Sequence, residues 1–176
     1  MNVPRVDALL VLDVGNTRIG MGLWTDDGLH DVRRVSATDD SEWAAAVSAL
    51  WNKIPPAATR AVVMSSVARR TAARLSEVIL HICDVEPQRI REDIPLPIEA
   101  DVDSLEEVGV DRICAAAAAY DRVRAACAVA SFGTAITIDC VSGDGRFMGG
   151  AILPGLAMSF EALHEGTAAL PQVEVE

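Results

Sequence analysis

Aromatic side chains are scarce, only 4% of the 176 residues, so an interior built on stacked rings is excluded. The core must then be aliphatic, which favours α/β or α architectures over a β-sandwich. Basic residues are also few. Lys and Arg number 15 against 26 Asp and Glu, for a formal net charge of −11, and no basic cluster appears along the chain. The counterion release that drives binding to polyanions has no source here, so nucleic acid is not an expected partner. Cys83, Cys114, Cys127 and Cys140 lie far apart with no C-x-x-C. That spacing argues against a zinc site or a redox pair and reads as buried reduced thiols. No apolar run reaches membrane-spanning length, and the run from Ala8 to Leu12 is too short for a signal segment and meets Asp13. A cytoplasmic protein with no membrane partner is expected.

What is present is aliphatic: 51% of the residues are hydrophobic, enough for one sizeable core or two small ones without a disulfide or metal staple. Ala8 to Trp24 is an apolar run, a Gly-Asn-Thr turn and a run in which Ile19, Met21 and Leu23 alternate. This predicts a β-hairpin whose first strand is buried on both faces. A third strand is predicted at Val32–Val35. Asp39 three residues before Glu42 is a helix-capping pattern, with Trp43, Val47 and Leu50 on one face and Pro55-Pro56 as the stop. A strand over Arg60–Val67 and a surface helix over Ala68–Ile82, with Ala72, Leu75 and Ile79 inward, complete the first half. The aperiodic stretch Ile94–Ser104, with Pro95 and Pro97, predicts an interdomain connection. Residues 1–105 and 106–176 are therefore expected as two halves.

The second half begins with a predicted helix over Val108–Arg124, with Ile113, Ala116, Ala117, Tyr120 and Val123 inward. A second apolar run, Cys127 to Cys140, is broken by Gly133 and Thr134. A short strand over Arg146–Met148 and a helix carrying Leu156, Phe160 and Leu163 follow, and between them Gly149-Gly150 and Pro154-Gly155 either bring amides toward a ligand or make a bend needed for packing. Leu12 to Thr17 and Ala130 to Ala135 share one plan: strand, polar residue, glycine turn, strand. Such a duplication, with facing glycine hairpins, is the organisation of the actin-like ATPase fold, in which a phosphate chain is clamped between the halves. The expected fold class is α/β: a duplicated actin-like (ribonuclease H-like) fold, two mixed sheets with flanking helices, the second half truncated.

A nucleotide triphosphate needs amide donors aimed at one spot, and a glycine turn lets backbone approach without a Cβ. Gly15, Asn16 and Thr17 meet that need, although an ordinary Asx turn would look the same. Asp13 at a strand end places a carboxylate beside the turn, suited to Mg²⁺ directly or through its water. Asp111, opening an alanine-rich helix, is either a dipole partner of that helix or the base that takes a hydroxyl proton, with Arg112 beside it for an anionic group. Asp139 reads as an ordinary strand-end carboxylate. His30, His81 and His164 read as solvated side chains.

Taken together, D-V-G-N-T at Asp13–Thr17, G-V-D-R at Gly109–Arg112, F-G-T-A-I-T-I-D at Phe132–Asp139 and G-G-A-I-L-P-G at Gly149–Gly155 resemble the type III pantothenate kinase family, from about Leu9 to Leu170. The resemblance implies ATP-dependent phosphorylation of pantothenate to 4′-phosphopantothenate, the first step of coenzyme A synthesis, by a homodimer using Mg²⁺ and K⁺ or NH₄⁺. It assigns ATP contacts to Asp13, Val14, Gly15, Asn16, Thr17, Arg18, Gly133 and Thr134, and pantothenate contacts to Gly109, Val110, Asp111 and Arg112. Asp111 would be the general base. Ser131 stands where the family usually has the Asp that helps hold the monovalent cation, and Val102 where a Tyr usually lines the substrate pocket. Family members continue past the position of Glu176 with a segment bearing a substrate-binding Thr and adenosine contacts, so either the sequence is a fragment or the cleft is incomplete. These differences keep a second reading open, a non-catalytic nucleotide-binding or regulatory relative, and a third, another phosphotransfer enzyme of the same fold.

Overall fold

In the computed structural model, which describes residues 6–173, the chain divides into two compact units, one up to Leu96 and one from Pro97. Residues 97–105 group with the second unit, because a parallel bridge joins Ala100 to Phe147. There the Asp101 amide donates to the Phe147 carbonyl at 2.8 Å and the Phe147 amide to the Glu99 carbonyl at 2.9 Å.

The first unit is a five-stranded mixed sheet in the order β3-β2-β1-β4-β5. β1 (Ala8–Val14), β2 (Arg18–Thr25) and β3 (Gly28–Ser36) form an antiparallel meander, and β4 (Arg60–Ser66) runs parallel to β1. The two-residue β5 (Gln88–Arg89), which no periodicity announced, extends β4 in parallel. Ala8, Leu10, Leu12 and Val14 of β1 are buried, but Leu9 and Val11 are half-buried and Asp13 is exposed. The expectation of burial on both faces is thus corrected: among the described residues, helices cover only one face of the sheet. β3 is longer than Val32–Val35 because its outer residues pair with β2 despite being mostly exposed.

Helices α1 (Asp40–Trp51) and α2 (Arg69–Cys83) supply the cover. The Asp39 carboxylate caps α1, accepting from the Ser41 and Glu42 amides at 3.0 and 3.2 Å. Glu42 does not close a capping box. Its carboxylate accepts from the Ser36 amide at 3.1 Å, and the Trp43 indole donates to the Ser36 carbonyl at 2.7 Å, so two side chains of α1 fix the end of β3. Trp43, Val47 and Leu50 of α1 and Ala72, Leu75 and Ile79 of α2 are buried against Leu10, Val14, Ile19 and Met64. Each large side chain so buried contributes about 1.5–3 kcal/mol of transfer free energy.

The second unit has α3 (Val110–Val123), β6 (Cys127–Phe132), β7 (Ala135–Val141), β8 (Phe147–Pro154) and α4 (Leu156–Gly166), after a 3₁₀ turn at Leu105–Glu107. The three strands pair antiparallel in the order β6-β7-β8, and the Ala100 bridge adds a parallel neighbour. β8 runs through Gly149-Gly150, the candidate bend. A register shift between Asp139 and Val141 absorbs the distortion, with Gly149 at φ +81°. A Cβ on Gly150 would lie 1.9 Å from the Ile138 carbonyl oxygen, so the strands approach there more closely than any other residue allows. Val110, Ile113 and Ala116 of α3 are buried with Val141 and Phe147, whereas Ala117 and Tyr120 are half-buried and Val123 is exposed. Of the four cysteines, all free, Cys83 is buried and Cys140 is exposed. Buried reduced thiols was therefore right for Cys83 alone.

Candidate functional site

The first glycine turn is held from both flanks. The Gly15 amide donates to the Arg18 carbonyl at 3.0 Å, closing the turn, and a Cβ on Gly15 would sit 3.0 Å from that oxygen. The Val67 amide donates to the Val14 carbonyl at 3.1 Å, and the Ala37 amide to the Thr17 carbonyl at 3.0 Å. The turn is thus anchored to the residues that follow β4 and β3, and Asn16, Thr17 and Arg18 stand exposed on it. Since the Gly15 amide is committed, any ligand donors of this turn lie beyond Gly15.

Asp13 precedes the turn on the uncovered face of the sheet, opposite Gly20 on β2 and Ser65 on β4. Glycine at 20 and 22 leaves a shallow groove of about 270 Å³ along that face, lined by Val11, Asp13, Gly20, Gly22, Val32 and Arg34. Ser65 is buried, and its hydroxyl finds no protein partner. A lone serine in an apolar strand carries no signal in sequence; only the register beside Asp13 draws it to the site. Among the described residues no group of three or more His, Cys, Asp or Glu side chains could hold a metal ion.

The second turn is tighter. The Gly133 amide donates to the Ala135 carbonyl at 3.1 Å, and the Thr134 carbonyl accepts from the Gly155 amide at 3.0 Å. A Cβ on Gly155 would fall 2.3 Å from the Gly133 carbonyl oxygen and 2.4 Å from that of Thr134. The start of α4 therefore rests directly on the turn, which is what the Pro154-Gly155 pair permits. Ser131, Gly133 and Thr134 are all exposed.

The G-V-D-R segment opens α3: Gly109 precedes the helix, Val110 is buried, and Asp111 lies in the first turn. One carboxylate oxygen of Asp111 is shielded from solvent and has no hydrogen-bond partner. A carboxylate oxygen so placed is costly unless something else meets it. Arg112 turns toward the sheet. Its Nε lies 3.0 and 3.2 Å from the two carboxylate oxygens of Asp139, and its Nη2 2.5 Å from the first. The Phe147 ring centroid is 5.8 Å from its guanidinium carbon. Asp139 is 2% exposed and lies within β7, so its reading as an ordinary strand-end carboxylate is corrected. Spacing gave no sign of this pair, because Asp139 and Arg112 sit 27 residues apart. Val102 is half-buried, its Cγ1 3.5 Å from where a Cβ on Gly149 would stand, so this apolar side chain packs beside the glycine pair.

A mixed sheet with its glycine hairpin and two helices, followed by a second glycine-hairpin sheet, defines a protein of the actin-like ATPase fold. Solved structures agree. The Aquifex aeolicus PPX-GPPA enzyme superposes at TM-score 0.50 with 13% identity, over 90% of this chain and 56% of that one. A putative 2-dehydro-3-deoxygalactonokinase from Sinorhizobium meliloti does so at 0.50 with 15% identity, over 91% and 57%. The ethanolamine utilization protein EutJ from Carboxydothermus hydrogenoformans gives 0.50 with 12% identity, over 98% and 60%. At such identities they speak for the fold alone.

The profile of the type III pantothenate kinase family matches residues 9–176. Curated type III pantothenate kinases of Anaeromyxobacter sp. (strain Fw109-5) and Desulfatibacillum aliphaticivorans are 35% and 36% identical, over 96% and 95% of this chain and 68% and 67% of theirs. That of Geobacter sulfurreducens is 36% identical over 95% of this chain and 68% of its own length. The chain belongs to the type III pantothenate kinase family, and it spans about two thirds of the length of these relatives. No helix among the described residues is long and apolar enough to cross a membrane.

Proposed function

We propose that this protein phosphorylates pantothenate with ATP, giving 4′-phosphopantothenate for coenzyme A synthesis. The observation that carries the reading is the Asp111 carboxylate oxygen, shielded from water and unmatched by any protein donor. An incoming primary hydroxyl supplies the missing donor. Asp111 accepts its proton as the alcohol oxygen attacks the γ-phosphorus and ADP leaves. Arg112, fixed on the same turn of α3, offers the guanidinium edge that Asp139 leaves unused to the substrate carboxylate. Val102 and Gly109–Val110 complete the pantothenate contacts.

The phosphate contacts in this reading are Asp13–Arg18 in the first unit and Gly133–Thr134 in the second. Asp13 is the carboxylate suited to Mg²⁺. Mg²⁺ is commonly bound through one or two carboxylates together with water and substrate phosphates, so a single exposed Asp fits it without a cluster of protein ligands. When bound, the ion neutralises charge on the transferring phosphoryl group. Ser131 offers a monovalent cation one neutral oxygen, so a weaker dependence on K⁺ or NH₄⁺ than an Asp would give follows from the residue type. A homodimer in the cytoplasm belongs to the same reading.

The test is ADP formation by the full chain with pantothenate, Mg²⁺ and either K⁺ or NH₄⁺. Pantothenate-dependent turnover is expected, and Asp111→Asn should abolish it, a loss of about a hundredfold or more, while calorimetry still shows ATP binding. Turnover retained in that variant would remove Asp111 from the mechanism. ATP binding without product in the unaltered protein would favour the regulatory relative instead.

A further inference from the structure

We propose that Asp139 is a positioning residue for substrate recognition, acting through Arg112. This rests on the reading of Arg112 as the residue that meets the substrate's carboxylate. The guanidinium has five N–H donors in a fixed plane. Asp139 takes the side formed by Nε and Nη2, with contacts of 3.0, 3.2 and 2.5 Å. The Phe147 ring lies 5.8 Å from the guanidinium carbon. With that side taken and the ring beside it, the plane has one orientation, and the end formed by Nη1 and the second Nη2 hydrogen is the part left to bind an anion.

Burial explains why a carboxylate is needed there. The Arg112 side chain is only 12% exposed and that of Asp139 only 2%. A lone guanidinium at that depth carries a desolvation cost that Asp139 offsets. The incoming carboxylate then meets a neutral, pre-aimed pair rather than a mobile cation. Recognition comes from direction, with the arginine held before substrate arrives. Asp139 is itself held rigidly: it lies opposite Gly150, where a Cβ would collide with the neighbouring strand at 1.9 Å, and beside the register shift that Gly149 makes possible. The glycine pair of β8 therefore serves the arginine by bringing β8 close behind Asp139.

The experiment is steady-state kinetics and pantothenate calorimetry on the full chain, comparing Asp139→Asn, Arg112→Ala and the double variant. Asp139→Asn is expected to raise KM for pantothenate by about tenfold to a hundredfold, the size expected when a charge-assisted hydrogen bond is lost. KM for ATP should stay within about twofold. In the Arg112→Ala background, Asp139→Asn should add almost nothing, because its effect runs through the arginine. Additive losses in the double variant, or an unchanged KM for pantothenate in Asp139→Asn, would overturn the proposal while leaving the kinase reading intact. If Asp139→Asn does not fold, Arg112→Lys decides: it keeps the charge and loses the fork, so an unchanged pantothenate KM in that variant overturns the proposal. Wild-type protein that neither binds nor turns over pantothenate overturns both readings together.

Discussion

The two halves repeat one plan and bury it differently. In the first, the face of β1 and β2 bearing Leu10, Leu12, Val14, Ile19 and Met21 is covered by α1 and α2, and all five are at most 4% exposed. In the second, hairpin pairing puts Val14↔Ile19 in step with Phe132↔Ile136, so Ala130, Phe132, Ile136 and Ile138 occupy the matching face. There Phe132 is 76% and Ile138 42% exposed, and α4, which follows β8 as α1 follows β3, contributes no buried residue. β1 is also flanked by β2 and β4, while β6 pairs with β7 alone among the described residues. The second unit keeps its core on the other face, where α3 meets Val141, Phe147 and Asp139, and this is the face that carries Arg112. One half of the duplication is organised around a packed core, the other around a buried ion pair.

Substitutions at matching positions test that contrast most strongly. Met21, 2% exposed, and Ile138 stand at corresponding places in the two hairpins. Met21→Ala should cost about 2–5 kcal/mol, the range for deleting a packed core side chain. Ile138→Ala should cost less than about 1 kcal/mol, because much of that side chain is already in water. Native-state hydrogen exchange, read separately for each unit, gives both values and should show slower exchange in β1 than in β6. Equal costs would mean that the Ile138 face is covered in solution.

The glycine turns differ in a second way. In the first a Cβ would meet one carbonyl at 3.0 Å, whereas at Gly155 it would meet two backbone oxygens at 2.3 and 2.4 Å, and neither can move without the turn moving. Gly155→Ala should therefore displace the amides of Gly133 and Thr134, and Gly15→Ala should change its own turn much less. Amide chemical shifts at the two turns, together with ATP calorimetry, should rank the variants in that order. The reverse order would break the assignment of the second turn as the more tightly backed one.

Much of this was legible in the sequence where local chemistry decides. The Asp39 cap, the inward faces of α1 and α2, both glycine hairpins and the helix at G-V-D-R follow from spacing and turn residues. What escaped depends on pairing at long range. An apolar run such as that of β1 does not say which face a helix will cover. The pair Gly149-Gly150 signals close backbone approach without saying whether a strand continues through it. Asp139 looked ordinary because its importance lies in Arg112, on another element, and Ser65 because only strand register sets it beside Asp13. The candidate site was readable as a set of motifs, and the ion pair that orients it was not.

The cysteines give the smallest effect and the most direct probe of the open face. Cys83 lies in the first core, and burial pushes its thiol up to about 11, with Arg60 nearby opposing the shift only in part. Cys140 lies on β7, opposite Ala128, on the exposed side of the second sheet. Because the thiolate is the reacting species, alkylation near neutral pH should label Cys140 quickly and leave Cys83 nearly untouched. Raising the pH should speed Cys83 about tenfold per unit until its titration near 11. Mass spectrometry of the labelled peptides follows both sites at once. A Cys140 as slow as Cys83 would show that the second sheet's outer face is covered, and the contrast between the halves would then belong to this chain alone and not to its assembly.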